Sequence, residues 1–527
     1  STKMVELIIT EKPSSAEKVA FALSEGKPVK KKNKQCSYYE IQHNNKPILV
    51  TSAVGHLYGL AQKSKGDWSY PVFDISWEAT YKNSKELHYV KEYIDTITLL
   101  ASKADEFTIA CDYDVEGEVI GLNIVRFACK QKDANRMKFS TLTKGDLIEA
   151  HQNKMKHLDW GQANAGETRH KLDWFYGINL SRALTSSVKA AGSFKVMSIG
   201  RVQGPALHLL VEREKEIMSF KPEPFWRISF NGTYAKDLIE AWHKDDKIFD
   251  QEKVTKIFAK IKNAKEATIS DTSAASRTQA PPTPFNLTDL QSESYALFKI
   301  TPKETLAIAQ NLYLAGVTSY PRTSSQQLDP KLGFRKILAD LARQPYYQEL
   351  AKKLLSEKEL RPNNGKKDDP AHPAIYPTGQ APGNLKPKEQ RIYDLIVKRF
   401  MATFAKPAVR ETITATFDVK EEEFIAKGTR TLEENWHEFY KPYVKLEEVT
   451  LPKMKKGDKV AISKIEKHDE ETQPPARYNQ SSIIRELEKR NLGTKATRAE
   501  ILDTLLRRGY AEGVKITATK LGLETER

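Results

Sequence analysis

The spacing of hydrophobic and polar positions changes several times along the chain, and each change predicts a different kind of element. Residues 5–10, Val-Glu-Leu-Ile-Ile-Thr, and residues 107–111, Phe-Thr-Ile-Ala-Cys, are short apolar runs typical of buried strands. Helical spacing follows each run, from Val19 to Leu23 and over residues 118–129. Strands that alternate with helices favour an α/β domain with a mostly parallel sheet over residues 1–150.

Polar residues beside these runs predict where helices begin and end. Ser14 or Ser15 is positioned to cap the helix after the first strand. Residues 301–304, Thr-Pro-Lys-Glu, combine a capping box with proline at the first helical position. Residues 497–500, Thr-Arg-Ala-Glu, form a second capping box. The lysine cluster within residues 27–34 predicts a solvated loop, with a dedicated phosphate contact as the alternative.

The rest of the chain divides by pattern into helical and β-rich stretches. Residues 160–220 have helical spacing with one Gly-rich interruption, whereas residues 225–275 and 408–465 alternate short apolar and polar runs. Between them, residues 279–284, Gln-Ala-Pro-Pro-Thr-Pro, nearly exclude helix and mark a linker to a mostly helical insert. Residues 478–516 predict helix, turn, helix and a short hairpin, which resembles a winged-helix unit.

Length and cysteine content restrict the class of protein. A chain of 527 residues exceeds one ordinary hydrophobic core, so we expect three or four domains. It contains no apolar run long enough to span a membrane, and the start leaves no room for a signal peptide. Cys36, Cys111 and Cys129 lack CxxC spacing, which predicts neither a disulfide framework nor a zinc ribbon and favours a reducing, intracellular setting.

The charge balance favours a polyanionic partner. Lys plus Arg number 84 against 69 Asp plus Glu, a net charge of +15 with a pI near 9.2. Nucleic acid is the first candidate for such a partner. Composition alone leaves a protein that is merely basic as an equal alternative.

The candidate chemistry begins where the two buried strands end. Asp112, Asp114 and Glu116 stand at alternate positions directly after the second strand, and Glu11 follows the first. Because sites in open α/β sheets lie beyond the carboxyl ends of the strands, we expect these carboxylates at one edge. Mg²⁺ takes oxygen ligands and keeps several waters, so two or three carboxylates suffice to hold it. The alternative is an acidic surface turn.

An early strand ending in Glu, with D-x-D-x-E about 100 residues later, resembles the Toprim domain. That domain is shared by topoisomerases, bacterial primases and some nucleases. Residues 319–325, Ser-Tyr-Pro-Arg-Thr-Ser-Ser, resemble the nucleophile motif of type IA topoisomerases, in which any residue, then arginine and threonine, follow the tyrosine. A phenol that attacks a phosphodiester needs a neighbouring cation, and Arg322 can offer phosphate a bidentate contact. The family usually has Asp after the threonine, and Ser324 stands there instead, which puts a secondary hydrogen bond in doubt.

Further motifs similar to those of type IA topoisomerases follow in order along the chain. They are Gly55-His56-Leu57, Asp173-Trp174 with Gly177 to Ala183, Ser198 to Gln203, Ala371 to Ile375, and Leu492 to Glu500. The late motif and the helix signature favour the topoisomerase III branch, of archaeal type, over the bacterial topoisomerase I branch.

The resemblance implies DNA contacts within these motifs. The residues concerned are His56, Arg169, Asp173, Arg182, Ser198, Arg201, Gln203, His372, Thr494, Thr497 and Arg498. Phosphate contacts position DNA without reading its sequence, so the arginines would provide affinity rather than specificity. The histidines could instead be ordinary hydrogen-bonded residues, and Arg169, Arg182 and Arg201 simply solvated.

The resemblance also implies the fold class, a multi-domain torus of α/β and α+β units. A Toprim metal-binding domain would span residues 1–150, and a helical, winged-helix-like DNA-binding domain residues 151–220 and 470–527. A β-rich arch would span residues 221–280 and 406–469. A nucleophile domain carrying Tyr320 would span residues 281–405.

For the reaction, the resemblance implies ATP-independent cleavage of one DNA strand through a 5′-phosphotyrosine link, strand passage and religation. Negatively supercoiled DNA would be relaxed, or linked DNA decatenated. Tyr320 would be the nucleophile, helped by Arg322, Lys12 and Glu11. Mg²⁺ would be held by Asp112, Asp114 and Glu116, with Glu11 near. The sequence has no P-loop, which agrees with independence from ATP.

Two other functions remain open at this point. A Toprim nuclease or primase would share the carboxylates but have no use for Tyr320-Pro321-Arg322. A DNA-binding module without activity would explain the charge but not the carboxylates.

The resemblance further predicts the setting of the protein. We expect a monomer in a prokaryotic, archaeal cytoplasm, associated with the nucleoid, with single-stranded and negatively supercoiled DNA as substrates. Helicases or single-strand-binding proteins are the expected partner classes. The chain stops soon after residues 517–522, where the family pattern continues, so we expect that zinc-binding modules found in many relatives have been removed.

Overall fold

The structure, a computed structural model, describes residues 3–192 and 199–527. The first part of the chain forms alternating strands and helices. They are β1 (Glu6–Thr10), α1 (Pro13–Leu23), β2 (Val29–Asn33), β3 (Cys36–His43), β4 (Lys46–Ser52), β5 (Tyr58–Gln62), β6 (Ile75–Ala79), α2 (Val90–Ala101), β7 (Glu106–Ala110), α3 (Val115–Asn123), β8 (Asn135–Arg136) and α4 (Lys144–Gln152).

These elements build a six-stranded sheet in the order β2-β3-β4-β1-β7-β8. Strand β1 is buried along its whole length and pairs in parallel with β4 and β7, as the two apolar runs predicted. Its last residue, Thr10, lies opposite Ala110, so the chain leaves both strands at the same edge. The mostly parallel sheet is confirmed for the central strands, while β2 and β3 pair antiparallel.

Two local predictions in this part are wrong. Helix α1 begins at Pro13 without a side-chain cap, so neither Ser14 nor Ser15 is its N-cap; proline already supplies the first helical dihedral. The lysine cluster does not form a loop. Residues 29–33 are the exposed edge strand β2, because backbone pairing with β3 leaves the lysine side chains free to extend into solvent.

The chain continues through two long helices into the first half of a β-barrel. The elements are α5 (Trp160–Ala190), α6 (Gln203–Ser219), β9 (Pro224–Tyr234), β10 (Asp237–His243), α7 (Gln251–Ile261) and β11 (Glu266–Gln279). Helix α7 interrupts a stretch that the pattern predicted as β, and its Val254, Ile257 and Ile261 face the barrel core. The interruption follows from apolar spacing of three to four residues, which is helical spacing.

A helical insert follows, and its elements are α8 (Leu287–Phe298), α9 (Pro302–Leu314), α10 (Phe334–Leu341), α11 (Gln348–Leu355) and α12 (Pro387–Ala402). The predicted start of helix α9 is confirmed, since Thr301 accepts a hydrogen bond from the backbone N–H of Glu304 at 3.2 Å and Pro302 is the first helical residue. The capping box is only half formed, because the Glu304 carboxylate accepts from Lys388 at 2.8 Å. Gly316, with φ of +79°, turns the chain after α9. That turn directs the following residues toward the sheet.

The chain then returns to the barrel through β12 (Ala408–Val419), β13 (Glu422–Glu433), α13 (Trp436–Tyr440) and β14 (Lys459–Glu471). The barrel closes in the order β10-β13-β12-β11-β14-β9. Strands β11 and β12 pair along their length, with Gln279 opposite Ala408. The insert therefore leaves and re-enters the barrel through two neighbouring strand ends.

The last elements are α14 (Gln480–Lys489), α15 (Arg498–Arg507), β15 (Ala511–Glu512), β16 (Thr517–Ala518) and α16 (Lys520–Glu526). The predicted order of helix, turn, helix and hairpin is confirmed. The capping box predicted at Thr497 is wrong, since this hydroxyl accepts from the backbone N–H of Thr494 at 2.9 Å instead. Leu207 and Leu210 of α6 share one core with Leu487 and Leu502, so chain segments far apart in sequence fold together.

No helix within residues 3–192 and 199–527 combines the length and apolarity that crossing a membrane requires. The four-domain division by residue number stays a prediction.

Candidate active site

The acidic turn after β7 is shaped by backbone geometry. Asp114 caps α3 by accepting from the backbone N–H of Gly117 at 2.6 Å. A Cβ atom at Gly117 would lie 1.9 Å from the carbonyl oxygen of Asp112, so only glycine fits the turn. The turn thus fixes where Asp112 and Asp114 stand.

Three carboxylates, those of Glu11, Asp112 and Asp114, gather at this edge, and the pKa values of Glu11 and Asp112 are raised there. Burial and the charges of Asp112 and Asp114 raise the pKa of Glu11 well above its usual value. Burial and the charge of Asp114 raise the pKa of Asp112 to about 6, although Arg322 opposes the shift. Lys12, on the exposed side of the same edge, acts to lower the pKa of Glu11. The edge is therefore rich in negative charge that the protein compensates only in part.

Tyr320 reaches this edge from the insert. Its hydroxyl donates to a carboxylate oxygen of Asp114, and its backbone N–H donates to the carbonyl of Ser140 at 2.8 Å. The side chain is 1% exposed. Burial and the charge of Asp114 raise the pKa of Tyr320 well above its usual value. The phenol therefore rests in its neutral, hydrogen-bonded form.

Tyr313 and Gln310 of α9 donate hydrogen bonds to the carboxylate of Asp112. The Tyr313 hydroxyl donates to Asp112 at 3.0 Å, and the Gln310 amide donates to the other oxygen at 3.2 Å. The rings of Tyr313 and Tyr320 meet edge to face, with centroids 5.3 Å apart. Two tyrosines of the insert thus contact two aspartates of the sheet.

His372 supports the Tyr320 ring from the other side, with ring centroids 4.4 Å apart. Its Nε2 lies 2.7 Å from the carbonyl oxygen of Tyr113, and its Nδ1 lies 2.8 Å from Ser140 Oγ. A carbonyl only accepts, so Nε2 carries the proton and Nδ1 accepts from the serine hydroxyl. Burial lowers the pKa of His372 to about 4, which keeps the ring neutral.

Arg322, two residues after Tyr320, adds a cation to this cluster. Its Nε is buried and has no hydrogen-bond partner among the residues that the structure describes. Its charge acts to lower the pKa of Glu11, of Asp112 and of Tyr320, which favours the charged form of each group. A buried guanidinium donor without a partner is an open position for an anion.

Asp369 orders the loop that follows the tyrosine. Its carboxylate accepts from the backbone N–H groups of Ser324, Ala371 and His372 at 3.1, 2.9 and 3.2 Å. Lys495, in the late motif, donates to the same carboxylate. Ser324 stands at the position where the resemblance predicts Asp. The loop that contains Ser324 is thus hydrogen-bonded to a carboxylate from elsewhere in the insert, that of Asp369.

Glu116 turns toward two histidines. Its Oε2 lies 2.7 Å from Nε2 of His56 and 3.0 Å from Nε2 of His170. Although burial would raise it, hydrogen bonds from His170 and His56 lower the pKa of Glu116 below its usual range. Glu116 therefore differs from Asp112 in the direction of its pKa shift and in its partners.

Several residues predicted to contact DNA on or near α5 and α6 have protein partners in this structure. Arg182 donates to the carbonyl of Ser69 and to Gln62, each at 2.8 Å, and Arg201 donates to Asp173 at 2.7 Å. Gln203 accepts from Arg508 at 2.7 Å. Arg169 is half-buried on α5. Ser198 lies outside the described residues.

The late motif makes mostly local contacts. The hydroxyls of Thr494 and Thr497 lie 2.9 Å apart. Arg498 is buried and donates to the carbonyl of Leu492 at 3.0 Å. These residues order their own loop, and contacts with DNA stay a prediction for each of them.

Comparison with known proteins assigns the chain. The profile of the DNA topoisomerase family matches residues 157–525, and that of the Toprim domain matches residues 6–142. DNA topoisomerase 1 of Pyrococcus horikoshii is 47% identical over 524 residues, which cover 98% of this chain and 76% of the relative.

The chain belongs to the type IA DNA topoisomerases.

Other relatives of this topoisomerase extend the picture. DNA topoisomerase 1 of Methanocaldococcus jannaschii is 46% identical over 99% of this chain and 68% of the relative. Human DNA topoisomerase 3-alpha is 28% identical over 96% of this chain and 51% of the human protein. The solved structure of full-length topoisomerase I from Thermotoga maritima matches with a TM-score of 0.72 at 23% identity, over 98% and 81% of the two chains, and shows the same fold.

These findings confirm the main prediction and decide against a Toprim nuclease or primase, since the family match spans Tyr320. The archaeal resemblance is confirmed. The topoisomerase III branch is supported in part, because the human relative has that name whereas the archaeal relatives are called topoisomerase 1.

The acidic edge of this topoisomerase fits a hard divalent cation. The Toprim domain is a metal-binding fold. Burial and, after it, repulsion from neighbouring carboxylates raise the pKa of Glu11 and of Asp112. Carboxylate oxygens are the ligands that Mg²⁺ prefers. A cation here would remove that repulsion.

The motifs did not identify five residues of the site. Ser140, His170, Tyr313 and Asp369 contact predicted residues, and Lys495 contacts Asp369. Asp369, three residues before His372, could have been noticed, because acidic side chains at that distance often accept from backbone N–H groups. Lys495 lies within the late motif but was not singled out there. The other three lie far along the chain from their partners, and no local pattern marks them.

Proposed function

We propose that Tyr320 cleaves one DNA strand and becomes joined to the 5′ phosphate. The observation that supports this most is the contact between the Tyr320 hydroxyl and Asp114 at the carboxyl edge of the Toprim sheet. The phenolic oxygen forms a bond to phosphorus while the bond from phosphorus to the 3′ oxygen breaks. Asp114 is the acceptor already in contact with the phenolic proton, which must leave because burial keeps the phenol neutral.

Arg322 is proposed to hold the phosphate under attack. Its buried, unpartnered Nε offers a charged donor beside Tyr320 and Asp114. A guanidinium there offsets the charge that develops on phosphorus as the phenol attacks. Lys12 is our choice for protonating the leaving 3′ oxygen, with Glu11 beside it.

The metal ligands proposed are Asp112, Asp114 and Glu116, with Glu11 near. When bound, Mg²⁺ would supply the positive charge that positions the 3′ end for resealing. The carboxylates contribute by converging at one strand edge, where β1 and β7 end in register. Tyr313 and Gln310 orient Asp112 through their hydrogen bonds.

Single-stranded DNA is proposed to follow the surface of α5 and α6 into this site. The groups that would meet phosphate are the side chains of Arg169, Arg182, Arg201 and Gln203, with His56 and His372 closer to the scissile bond. Ser198, Asp173, Thr494, Thr497 and Arg498 belong to the same proposal. When DNA binds, these side chains would exchange their present partners for phosphate. Arg201, for example, would exchange Asp173 for a phosphate oxygen.

Strand passage is proposed to require the insert to move away from the Toprim sheet. The four-domain division, a monomeric state, preference for negatively supercoiled DNA, and helicase or single-strand-binding partners are parts of this proposal. So is a cytoplasmic setting, for which the three free, buried cysteines are supporting evidence.

The decisive experiment is Tyr320→Phe, which removes the attacking oxygen and little volume. We expect the variant to fold and bind single-stranded DNA but to form no covalent protein–DNA adduct on a denaturing gel. Tyr376→Phe is the matched control, because it removes another buried hydroxyl from the same insert and should leave adduct formation intact. Adduct formed by Tyr320→Phe would overturn the proposal.

A further inference from the structure

Three side chains from separate segments converge beside the acidic edge. His56 lies in the loop after β4, Glu116 in the first turn of α3, and His170 near the middle of α5. All three are between 29% and 38% exposed, so solvent ions can reach them. The rings of His56 and His170 lie 5.2 Å apart, with both Nε2 atoms directed at one oxygen of Glu116.

The spacing of these atoms suits a tetrahedral metal ion. The three ligand atoms all lie within 4.8 Å of one another. Ligand atoms around Zn²⁺, at bonds of about 2.1 Å, are about 3.4 Å apart. The two contacts of Glu116, at 2.7 and 3.0 Å, would therefore lengthen by about 0.7 and about 0.4 Å to admit an ion.

The chemistry of the donors differs from that of the acidic edge. Two imidazoles and one carboxylate favour Zn²⁺, Co²⁺ or Ni²⁺, whereas Mg²⁺ prefers oxygen ligands alone. In a neutral imidazole, binding through Nε2 moves the ring proton to Nδ1. The site therefore selects a different class of ion from that expected at Glu11, Asp112 and Asp114.

The surrounding contacts hold the ligands in place. Trp77 packs edge-on against the His170 ring at 5.7 Å, and its indole N–H donates to Glu167 at 3.0 Å. Gly55, with φ of +80°, precedes His56 and donates its backbone N–H to the carbonyl of Glu11 at 3.0 Å. Ligands fixed by packing and backbone bonds lose little freedom when an ion binds.

We propose that His56, Glu116 and His170 form a second metal site, specific for Zn²⁺ and related transition-metal ions. Binding itself depends only on these three side chains. An ion in this site also takes Glu116 away from the acidic edge, so Zn²⁺ should inhibit resealing. This consequence rests on the proposed role of Glu116 in holding Mg²⁺.

The test is calorimetric titration of the metal-free full chain with Zn²⁺, with Co²⁺ absorption as a second measurement. We expect one tight equivalent, with tetrahedral Co²⁺ bands, and affinity at least about 10-fold weaker in His170→Gln. His157→Gln is the matched control, because His157 pairs with Asp133 on the exposed surface and should not affect affinity. The pair Asp112→Asn with Asp114→Asn should bind Zn²⁺ as the unmodified chain does.

The outcomes separate the two proposals. Equal affinity in His170→Gln, or loss of Zn²⁺ binding only in the Asp112 and Asp114 pair, would overturn the second site. If His170→Gln fails to fold by circular dichroism, His56→Gln decides by the same titration. Tight binding without inhibition of resealing would retain the site and reject the role of Glu116, leaving cleavage by Tyr320 unaffected.

Discussion

Two of the contacts that the insert, residues 281–405, makes with the rest of the molecule are opposite in character. At the Toprim contact, buried tyrosines and a histidine meet carboxylates and carbonyls of the sheet. At the C-terminal contact, exposed charged residues pair with α15, such as Lys303 with Asp503 at 2.9 Å, and the partly buried Asp289 pairs with Arg485 of α14 at 3.3 Å. Tyr320, at the centre of the first contact, is almost entirely inaccessible.

The difference shows which contact can control access to the site. Exposed ion pairs contribute about 0–1 kcal/mol each and re-form in water at little cost. Separating a buried contact exchanges its hydrogen bonds for bonds to water, at a net cost of about 0.5–1.5 kcal/mol each, or about 1.5–3 kcal/mol where one partner is charged. In the Toprim contact, separation also hydrates Glu11 and Asp112, whose charged forms burial disfavours. The Toprim contact is thus the stronger of the two. It is also the one that buries carboxylates whose charged forms are disfavoured there.

The largest effect is expected from locking the Toprim contact. Lys18 of α1 donates to the carbonyl of Ala315 at 3.5 Å, so Lys18→Cys with Ala315→Cys can be joined by a short bismaleimide. The locked protein should still cleave and reseal short single-stranded DNA but should lose all plasmid relaxation, because strand passage needs the contact to open. Relaxation is followed on agarose gels.

Single-cysteine variants treated with the same reagent control for modification alone. The native cysteines are buried, which limits side reactions, but are best replaced first. Normal relaxation by the locked protein would place the opening at the C-terminal contact instead.

The next effect concerns pH. Burial lowers the pKa of His372 from 6.5 to about 4 in the folded protein. A base with a depressed pKa contributes stability that is fully present above pH 6.5 and is lost as pH falls toward 4. The stability difference between unmodified protein and His372→Gln should therefore shrink by about 3 kcal/mol across that window. Denaturant unfolding at a series of pH values measures this stability difference. A difference that stays constant with pH would mean that His372 is not held buried in its neutral form.

A smaller effect is expected at the link between the two contacts. Lys495→Met leaves Asp369, 3% exposed at its side chain, without its ion-pair partner. The pKa of Asp369, now held low in part by Lys495, should rise, and the loop after Tyr320 should loosen. We expect adduct formation to slow about 10-fold, the equivalent of about 1.4 kcal/mol, with recovery in Lys495→Arg. Lys367→Met, which removes a more exposed pair with Glu488, is the matched control and should have little effect.

The smallest effect is expected from Lys303→Ala in the C-terminal contact. Its partners Glu500 and Asp503 are exposed and remain hydrated when the lysine is removed. Thermal unfolding and relaxation rate should both stay within experimental error. A clear loss of relaxation would show that this contact, too, controls opening.

The sequence predicted those parts of the site whose residues lie close together in the chain. The turn from Asp112 to Glu116 and the segment from Tyr320 to Arg322 each contain their own signal, and the structure brings the two together. Tyr313 has no such signal, since the chain has 21 tyrosines. His170 meets Glu116 only because α5 crosses α3, where Gly166 allows close packing against Val115 and Val119.

The fold shows the same difference between elements with a local sequence signal and elements without one. Apolar periodicity predicted β1, β7 and α9, because burial of one face decides those elements. It missed β2, whose lysines suggested a loop, because strand formation there depends on pairing with β3. It also misplaced one helix start, at Ser14 or Ser15, where proline begins the helix instead. At Thr497 it placed the helix start correctly but predicted a capping box where a local turn competes for the hydroxyl.

The pairing of Gln279 with Ala408 has a consequence for engineering. The two strand ends that flank the insert lie directly opposite each other, at a spacing that a two-residue turn can bridge. The insert could therefore be excised and the barrel rejoined without changing its strand order. Conversely, a chain made of the insert alone would begin and end at adjacent points. The topoisomerase can thus be treated as two nested proteins, one of which was placed inside a hairpin of the other.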